Sequence, residues 1–138
     1  MTGYYRFPTI NNSTIVFVAE DDLWLVDTEN PKAFRLTTNI STVSSPLISP
    51  NGKWIAFVGT EDGNSEVYIM PTYGGASTRL TYDGAFVKSI AAWENDDIIF
   101  STFTSFYLDS HNFSFFVKAF NIPSWFFSFI CNPSDFFR

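Results

Sequence analysis

A pattern of short apolar runs recurs at intervals of 40 to 44 residues, and it restricts the folds open to this chain more than any other feature. The matched runs are Ile15–Val18 with Ile55–Val58, Leu23–Val26 with Val67–Met70, and Phe34–Thr37 with Thr78–Thr81. A third copy begins at Ile98–Phe100, 43 residues after Ile55. The differences in spacing fall between the runs, as they do when strands are joined by tolerant loops. Self-similarity at this period indicates a repeat architecture.

Each copy divides into four short runs that are rich in β-branched and aromatic residues, which is typical of strands. In the second copy the runs are Val43–Ile48, Trp54–Gly59, Glu66–Met70 and Ser77–Leu80. Turns such as Pro50–Gly52 and Gly74-Gly75 supply the positive φ angles that tight hairpins need. Because four antiparallel strands within about 40–45 residues is the size of one β-propeller blade, each copy is interpreted as a blade.

We therefore predict an all-β chain, a partial β-propeller with two four-stranded antiparallel blades and the start of a third, followed by an irregular Phe-rich tail. The expected limits are residues 1–102 for the propeller and 103–138 for the tail, with blade 1 at about 4–37, blade 2 at about 43–81 and the start of blade 3 at about 86–102. The alternative is a β-sandwich whose hairpins look alike. The common order of the matched runs favours the propeller, and both Arg35–Thr37 and Arg79–Thr81 read Arg-Leu-Thr.

The run Trp54–Gly59 makes this prediction specific, because both of its faces are apolar. Strand alternation puts Ile55 and Phe57 on one face and Ala56 and Val58 on the other. A sheet exposed on one side would not carry two apolar faces, whereas a sheet packed between two blades requires them. We expect the same of Ile15–Val18 in the first copy.

Three stretches of this sequence resemble the propellers of TolB-like and tricorn-type proteins. "ISPNGKWIAFVGTEDGNSEVYIMPTYGGASTRLT" is similar to their repeat, with Asn51 where aspartate is usual in the turn. "GYYRFPTINNSTIVFVAEDDLWLVD" and "IAAWENDDIIFST" resemble the opening and the third blade of the N-terminal propeller in tricorn proteases and related tail-specific (S41-type) peptidases. The resemblance covers residues 3–102.

The resemblance implies a non-catalytic N-terminal propeller fragment of a tricorn-like protease. In that family the propellers are thought to gate or channel peptides to a serine peptidase domain, and no stretch of this sequence resembles that domain. No catalytic residue is therefore carried over, and we expect no enzyme activity, cofactor or metal ion in this chain. The alternative is a stand-alone TolB-like module that binds a protein partner.

Residues with catalytic or metal-binding chemistry are present but lack the required pattern. His111 is the only histidine, and its neighbours Asp109 and Ser110 are adjacent in sequence, whereas triads assemble from distant segments. Three acidic clusters exist, namely Glu20-Asp21-Asp22, Glu61-Asp62 with Glu66, and Glu94 with Asp96-Asp97. None has the spacing of a calcium loop, so we interpret them as solvated turns.

Aromatic and arginine residues recur in or beside the strand runs. Trp24, Trp54, Tyr68 and Trp93 could line a ligand pocket, but packing between blades is the preferred interpretation. Arg35 and Arg79 hold equivalent positions and could bind the carboxylates of peptides. We prefer the interpretation that their stems cover the blade edge while their charges stay in water.

Charge and composition limit the partners and the compartment. The net charge of −6 belongs wholly to residues 1–102, so a nucleic-acid partner is not expected. The single cysteine, Cys131, fits a reducing compartment, and the first residues lack the pattern of a signal peptide. The most apolar window contains Lys118, Asn121 and Pro123, so it is a poor membrane helix. We expect a cytoplasmic chain with a protein or peptide partner.

The tail has its own composition, since 11 of the 17 phenylalanines lie between Phe103 and Arg138. One interpretation is a degenerate third blade with an apolar interaction surface. The preferred one is a frame-shifted or truncated gene, because so many unpatterned aromatic residues would expose a large apolar surface. Free blade edges and this tail also predict self-association.

Overall fold

A computed structural model describes residues 4–38, 41–61, 63–82, 86–105 and 113–122, and the secondary structure in these ranges is entirely β. Each strand is antiparallel to its neighbours in one of three sheets. No helix in these ranges has the length and apolar character needed to cross a membrane. The all-β prediction is confirmed.

The first two sheets are four-stranded blades whose strands follow one another in sequence order. Blade 1 contains β1 (Arg6–Asn11), β2 (Thr14–Ala19), β3 (Asp22–Asp27) and β4 (Ala33–Arg35). Blade 2 contains β5 (Val43–Ile48), β6 (Trp54–Gly59), β7 (Glu66–Pro71) and β8 (Thr78–Arg79). The four runs predicted for the second copy are thus the four strands of blade 2.

Blade 3 extends beyond the limit expected from the sequence. It contains β9 (Phe86–Glu94), β10 (Asp97–Ser105) and β11 (Phe113–Asn121), in the order β11-β10-β9. The β10–β11 ladder runs from the pair Asp97 and Asn121 to the pair Ser105 and Phe113. Part of the predicted tail is therefore a blade strand, which the lack of Gly or Asn-Gly turns before it concealed. Residues 106–112 and 123–138 lie outside the described ranges.

Two apolar layers hold the three blades together, and every blade has a rear face towards the preceding blade and a front face towards the following one. The first layer joins blade 1 to blade 2 and contains Val16, Val18, Leu23, Leu25, Val43, Ile48, Ile55, Phe57, Tyr68 and Met70. The second joins blade 2 to blade 3 and contains Trp54, Ala56, Val58, Val67, Ile69, Leu80, Val87, Ile90, Ile98, Phe100 and Ile122. Packing of successive sheets in this way is that of a propeller.

Strand β6 confirms the expected alternation. Ile55 and Phe57 belong to the layer against blade 1, whereas Ala56 and Val58 belong to the layer against blade 3. Phe57 is 0% exposed, and its ring stacks on that of Tyr68 with centroids 5.7 Å apart. Blade 2 is therefore packed on both faces.

The same expectation is only half right for strand β2. Val16 and Val18 are buried against blade 2, but Ile15 and Phe17 on the rear face are only half-buried. The reason is that no described blade precedes blade 1. Burial of an apolar strand face requires a neighbour, and the repeat pattern alone does not supply one.

The first strand of each four-stranded blade also carries a β-bulge beside a proline. The ladder register shifts between Arg6 and Thr9 in β1 and between Ser44 and Leu47 in β5. Phe7 and Ser45, each followed by proline, have φ angles of 52° and 48°. Because proline cannot donate a ladder hydrogen bond, it is tolerated at such bulges.

Candidate functional site

The turn between β5 and β6 is closed by side chains, which fixes its shape. Oδ1 of Asn51 accepts hydrogen bonds from Oγ of Ser49 at 2.7 Å and from the backbone N–H of Lys53 at 3.0 Å. Oγ of Ser49 in turn accepts one from the N–H of Trp54 at 3.0 Å. Gly52 has a φ of 72°, a conformation that glycine adopts without strain. An aspartate at position 51 would present the same acceptor, so the departure from the usual residue keeps the turn.

Two clefts of mixed polar and apolar lining flank this turn at the end of the blades where the first and second strands of each blade connect. The cleft between blades 1 and 2 is lined by Asn11, Asn12, Ser13, Thr14, Asn51, Gly52, Lys53 and Tyr73. The cleft between blades 2 and 3 is lined by Ser49, Pro50, Asn51, Trp54, Trp93, Asn95 and Asp96. Asn51 borders both clefts and is exposed. Together the two clefts form one strip across three blades, which we call the turn strip.

The turn strip is held in place by contacts between blades. Nδ2 of Asn11 in blade 1 donates to the backbone oxygens of Ser49 at 2.8 Å and Pro50 at 3.2 Å in blade 2. Nε1 of Trp93 in blade 3 donates to the backbone oxygen of Leu47 at 3.0 Å. The strip is therefore built from three blades whose turns are mutually fixed.

The groups that line the turn strip can bind a ligand by hydrogen bonding and by aromatic contact. Its residues offer amide and hydroxyl groups, aromatic rings, and one charge of each sign in Lys53 and Asp96. None of the residues that line the strip is a histidine or a cysteine. Amides and hydroxyls suit hydrogen bonding to the main chain of a peptide.

A buried polar network links the third and fourth strands of blade 2. Nη2 of Arg79 donates to Oε1 of Glu66 at 3.1 Å, and the hydroxyl of Thr81 donates to Oε2. The same hydroxyl accepts from the N–H of Val67 at 3.0 Å, and Nε of Arg79 donates to the backbone oxygen of Thr81 at 2.8 Å. Glu66 is 0% exposed, so its charge is neutralised by Arg79 inside the blade.

Blade 1 contains the same network at positions 44 residues earlier. Nη2 of Arg35 donates to Oδ2 of Asp22, and the Thr37 hydroxyl donates to Oδ1 at 2.8 Å. The N–H of Leu23 donates to that hydroxyl at 2.9 Å, and Nε of Arg35 donates to the Thr37 oxygen at 3.1 Å. The network is thus a repeated structural element of the blade.

These two networks correct two of the sequence interpretations. Arg35 and Arg79 each pair with a buried carboxylate, although the Arg35 side chain is still 44% exposed and the Arg79 side chain 19% exposed. Asp22 and Glu66 are not solvated turn residues, because each carboxylate accepts from an arginine and a threonine. The sequence does carry the signal, because acid, arginine and threonine all recur at a spacing of 44 residues.

The other residues of the three acidic clusters that the structure describes lie in turns or at strand ends. Glu20, Asp21, Glu61, Glu94 and Asp96 are exposed, and Asp97 is half-buried. Asp21 pairs with Arg6 at 2.9 Å. Among the described residues, no group of three or more His, Cys, Asp or Glu side chains is arranged to hold a metal ion. Asp62 lies outside the described ranges.

Three of the four aromatic candidates pack between blades, as expected. Trp54 and Tyr68 are buried, and Trp93 packs against the second layer. Trp24 differs, because it is half-buried on the rear face of blade 1, where its Nε1 donates to the backbone oxygen of Ala19 at 3.1 Å. The catalytic candidates Asp109, Ser110 and His111, together with Cys131, lie outside the described residues.

Several relatives share sequence with this chain, and two of them are described here. Tricorn protease homolog 1 of Streptomyces coelicolor is 36% identical over 94 residues, which are 68% of this chain and 9% of that protein. A protein of Sulfurisphaera tokodaii named as the N-terminal subunit of a tricorn-like protease is 34% identical over 101 residues, which are 72% of this chain and 52% of that protein. The chain therefore spans less than a tenth of the first relative's length and about half of the second's.

The chain is also similar to solved structures and to a family model. The tricorn protease crystal structure superposes with a TM-score of 0.64 at 22% identity, over 73% of this chain and 11% of that one. A TolB protein of Agrobacterium tumefaciens gives 0.65 at 18% identity, over 88% of this chain and 46% of that one. These two likenesses establish the β-propeller fold. The sequence model of the tricorn protease N-terminal beta propeller domain matches residues 2–121, so the chain belongs to that family.

Proposed function

We propose that this chain is a non-catalytic propeller segment that receives peptides on the turn strip and passes them to a serine peptidase domain of a tricorn-like protease. Family membership supports the link to proteolysis, because the match is to the propeller domain. The observation that carries the proposal is the turn strip, where amide, hydroxyl and aromatic groups of three blades border two adjoining clefts. An extended peptide could cross both clefts and donate to or accept from these groups.

The partner is a peptide or a protein in this proposal, and the compartment is the cytoplasm. The net charge of −6 disfavours the phosphate backbone of a nucleic acid. Charge also bears on peptide choice, since the strip contains one lysine and one aspartate and so has no strong sign of its own. We therefore expect binding that depends on peptide length more than on peptide charge.

The test is titration of the purified chain with uncharged peptides of four to twelve residues. Binding is monitored by the fluorescence of the chain's tryptophans. Two of them, Trp54 and Trp93, line the cleft between blades 2 and 3. We expect saturable binding that strengthens with length and weakens at least about tenfold on Asn51→Ala combined with Tyr73→Ala. The control is Phe34→Ala, an exposed aromatic residue outside the strip. Binding unchanged by the double substitution would refute the assignment to the strip.

Absence of catalysis is tested separately with fluorogenic peptides. We expect no turnover by the purified chain, because no catalytic residue of a peptidase is carried over from the family resemblance. Turnover that disappears on His111→Ala would contradict the proposal and would assign a catalytic role to that histidine.

A second candidate is a stand-alone binding module for a folded protein, in the manner of a TolB-like propeller. The likeness to a TolB structure over 88% of this chain supports the fold on which that candidate depends. The two candidates differ in ligand size. Tight binding of peptides of up to twelve residues would favour the peptide-receiving propeller segment. Binding that is seen only with a folded protein would favour the stand-alone module.

A further inference from the structure

The two clefts of the turn strip carry opposite charges. Lys53 is the charged residue that lines the cleft between blades 1 and 2, and Asp96 is the charged residue that lines the cleft between blades 2 and 3. Both residues are exposed. A ligand that crosses the strip therefore meets a positive charge in one cleft and a negative charge in the other.

Asp96 is held at its cleft by a short turn. Strand β9 ends at Glu94 and β10 begins at Asp97, so the turn contains only Asn95 and Asp96. Asn95 has a φ of 55°, which is the left-handed conformation that asparagine supplies in two-residue hairpins. A turn this short leaves the backbone of Asp96 little freedom relative to the two strands. The structure thus fixes where the carboxylate meets the cleft.

No arginine that the structure describes pairs with Asp96. The three in the described ranges form ion pairs with Asp21, Asp22 and Glu66. Lys53 lines the other cleft and forms no ion pair with Asp96 in the described part of the chain. The carboxylate of Asp96 can therefore pair with a cation of a ligand without first losing an internal ion pair.

The rest of this cleft suits the side chain of arginine. Trp93 is half-buried, and the hydrogen bond from its Nε1 to the backbone oxygen of Leu47 orients the ring. An indole ring is the best aromatic partner for a cation, and a planar guanidinium stacks on it. The backbone oxygens of Ser49 and Pro50 already accept from a side chain of blade 1. The charged acceptor that the cleft offers to a ligand is the Asp96 carboxylate.

We propose that the cleft between blades 2 and 3 is a subsite for one arginine side chain of a bound peptide. The inference rests on the proposed function, because it assigns a ligand group to one cleft of the turn strip. Lysine binds there more weakly, since its ammonium is strongly hydrated and cannot pair with a carboxylate in the planar, bidentate way. Because Lys53 and Asp96 oppose each other, the position of the arginine matters and the net charge of the peptide matters little.

The test is calorimetric titration of the chain with octapeptides that are capped at both ends. Each peptide has one arginine at a different position of an otherwise uncharged sequence, and its partner has citrulline there, which is a neutral side chain of the same shape. At the best position, the arginine peptide should bind about threefold to tenfold more tightly than the citrulline peptide. This advantage should shrink at high salt, because exposed charges are screened.

Two variants assign the advantage to one carboxylate. Asp96→Asn should abolish it and leave the affinity for the citrulline peptide unchanged. The matched control is Glu94→Gln, which removes the same charge from an exposed residue beside the turn that does not line the cleft. Glu94→Gln should keep the advantage. An advantage that falls equally in both variants would indicate general attraction by an acidic chain and would overturn the subsite.

Failure of the subsite is distinct from failure of the proposed function. Equal binding of the arginine and citrulline peptides, still weakened by Asn51→Ala combined with Tyr73→Ala, would exclude the subsite and leave peptide binding in place. If no octapeptide binds, the proposed function fails, and Nα-acetyl-arginine methylamide is then titrated alone. Saturable binding of this compound that requires Asp96 would support the subsite, and no binding would overturn it as well.

Discussion

Blades 1 and 2 have nearly the same sequence pattern but different surroundings, and the difference separates local from tertiary effects. At equivalent positions, Phe17 is half-buried on a free face whereas Phe57 is fully buried between two sheets. The polar networks of Glu66 and Asp22, by contrast, are the same in both blades. Burial of a repeat's faces thus depends on the neighbouring blade, while the contacts between strands of one blade depend on that blade's own sequence.

The largest expected effect is a difference in stability loss between substitutions at the two equivalent phenylalanines. Phe57→Ala should lower the free energy of unfolding by about 3–5 kcal/mol, because it leaves a cavity in a packed layer. Phe17→Ala should cost only about 1–2 kcal/mol, since less of its surface leaves water. Both are measured by urea unfolding at a protein concentration where the chain is monomeric. Equal losses under those conditions would show that the rear face of blade 1 is covered within the chain.

The next prediction tests whether the two polar networks contribute equally to the free energy of unfolding. Thr81→Val and Thr37→Val keep the side-chain shape but remove a buried hydroxyl that joins a carboxylate to a backbone N–H. Each should lower the free energy of unfolding by about 1–3 kcal/mol, the cost of leaving buried polar groups unpaired. Urea unfolding should give two losses that agree within about 1 kcal/mol. A negligible loss for one of them would mean that its network does not stabilise the blade.

A smaller effect concerns the turn between β5 and β6, which the Asn51 side chain closes. Asn51→Ala removes the acceptor for Ser49 and Lys53 and should cost about 0.5–1.5 kcal/mol. Asn51→Asp keeps the acceptor and should change stability by less than about 0.5 kcal/mol. Thermal unfolding followed by circular dichroism compares the two variants. A loss as large for aspartate as for alanine would show that the amide nitrogen matters instead.

The smallest effect is expected at Lys53, next to the fully buried strand β6. Lys53 is exposed and directly precedes the buried Trp54. Lys53→Ala should therefore change the free energy of unfolding by no more than about 0.5 kcal/mol, as is usual at a surface site. The same unfolding measurement applies. A larger loss would place the lysine stem in the packing of the cleft between blades 1 and 2.

Much of the fold follows from the sequence because strand runs and turns are local. Val43–Ile48 and Trp54–Gly59 were predicted to the residue, since alternation and Gly or Asn turns define their ends. Strand β11 was not predicted, because the segment before Phe113–Asn121 contains no glycine. The turn strip was also not predicted, since it joins Asn11, Asn51 and Asp96 from three blades.

The sequence by itself determined the period of the repeat, the strands of blade 2 and the two apolar faces of β6, because each depends on residues within a few positions of one another. Only the tertiary structure decided which apolar faces are buried and where the charges of Arg35 and Arg79 lie. Alternation defines two faces of a strand, but hydrophobic burial requires a second surface. A buried carboxylate such as Asp22 or Glu66 is paired only when an arginine from another strand lies within hydrogen-bonding distance, and that distance is a property of the folded sheet.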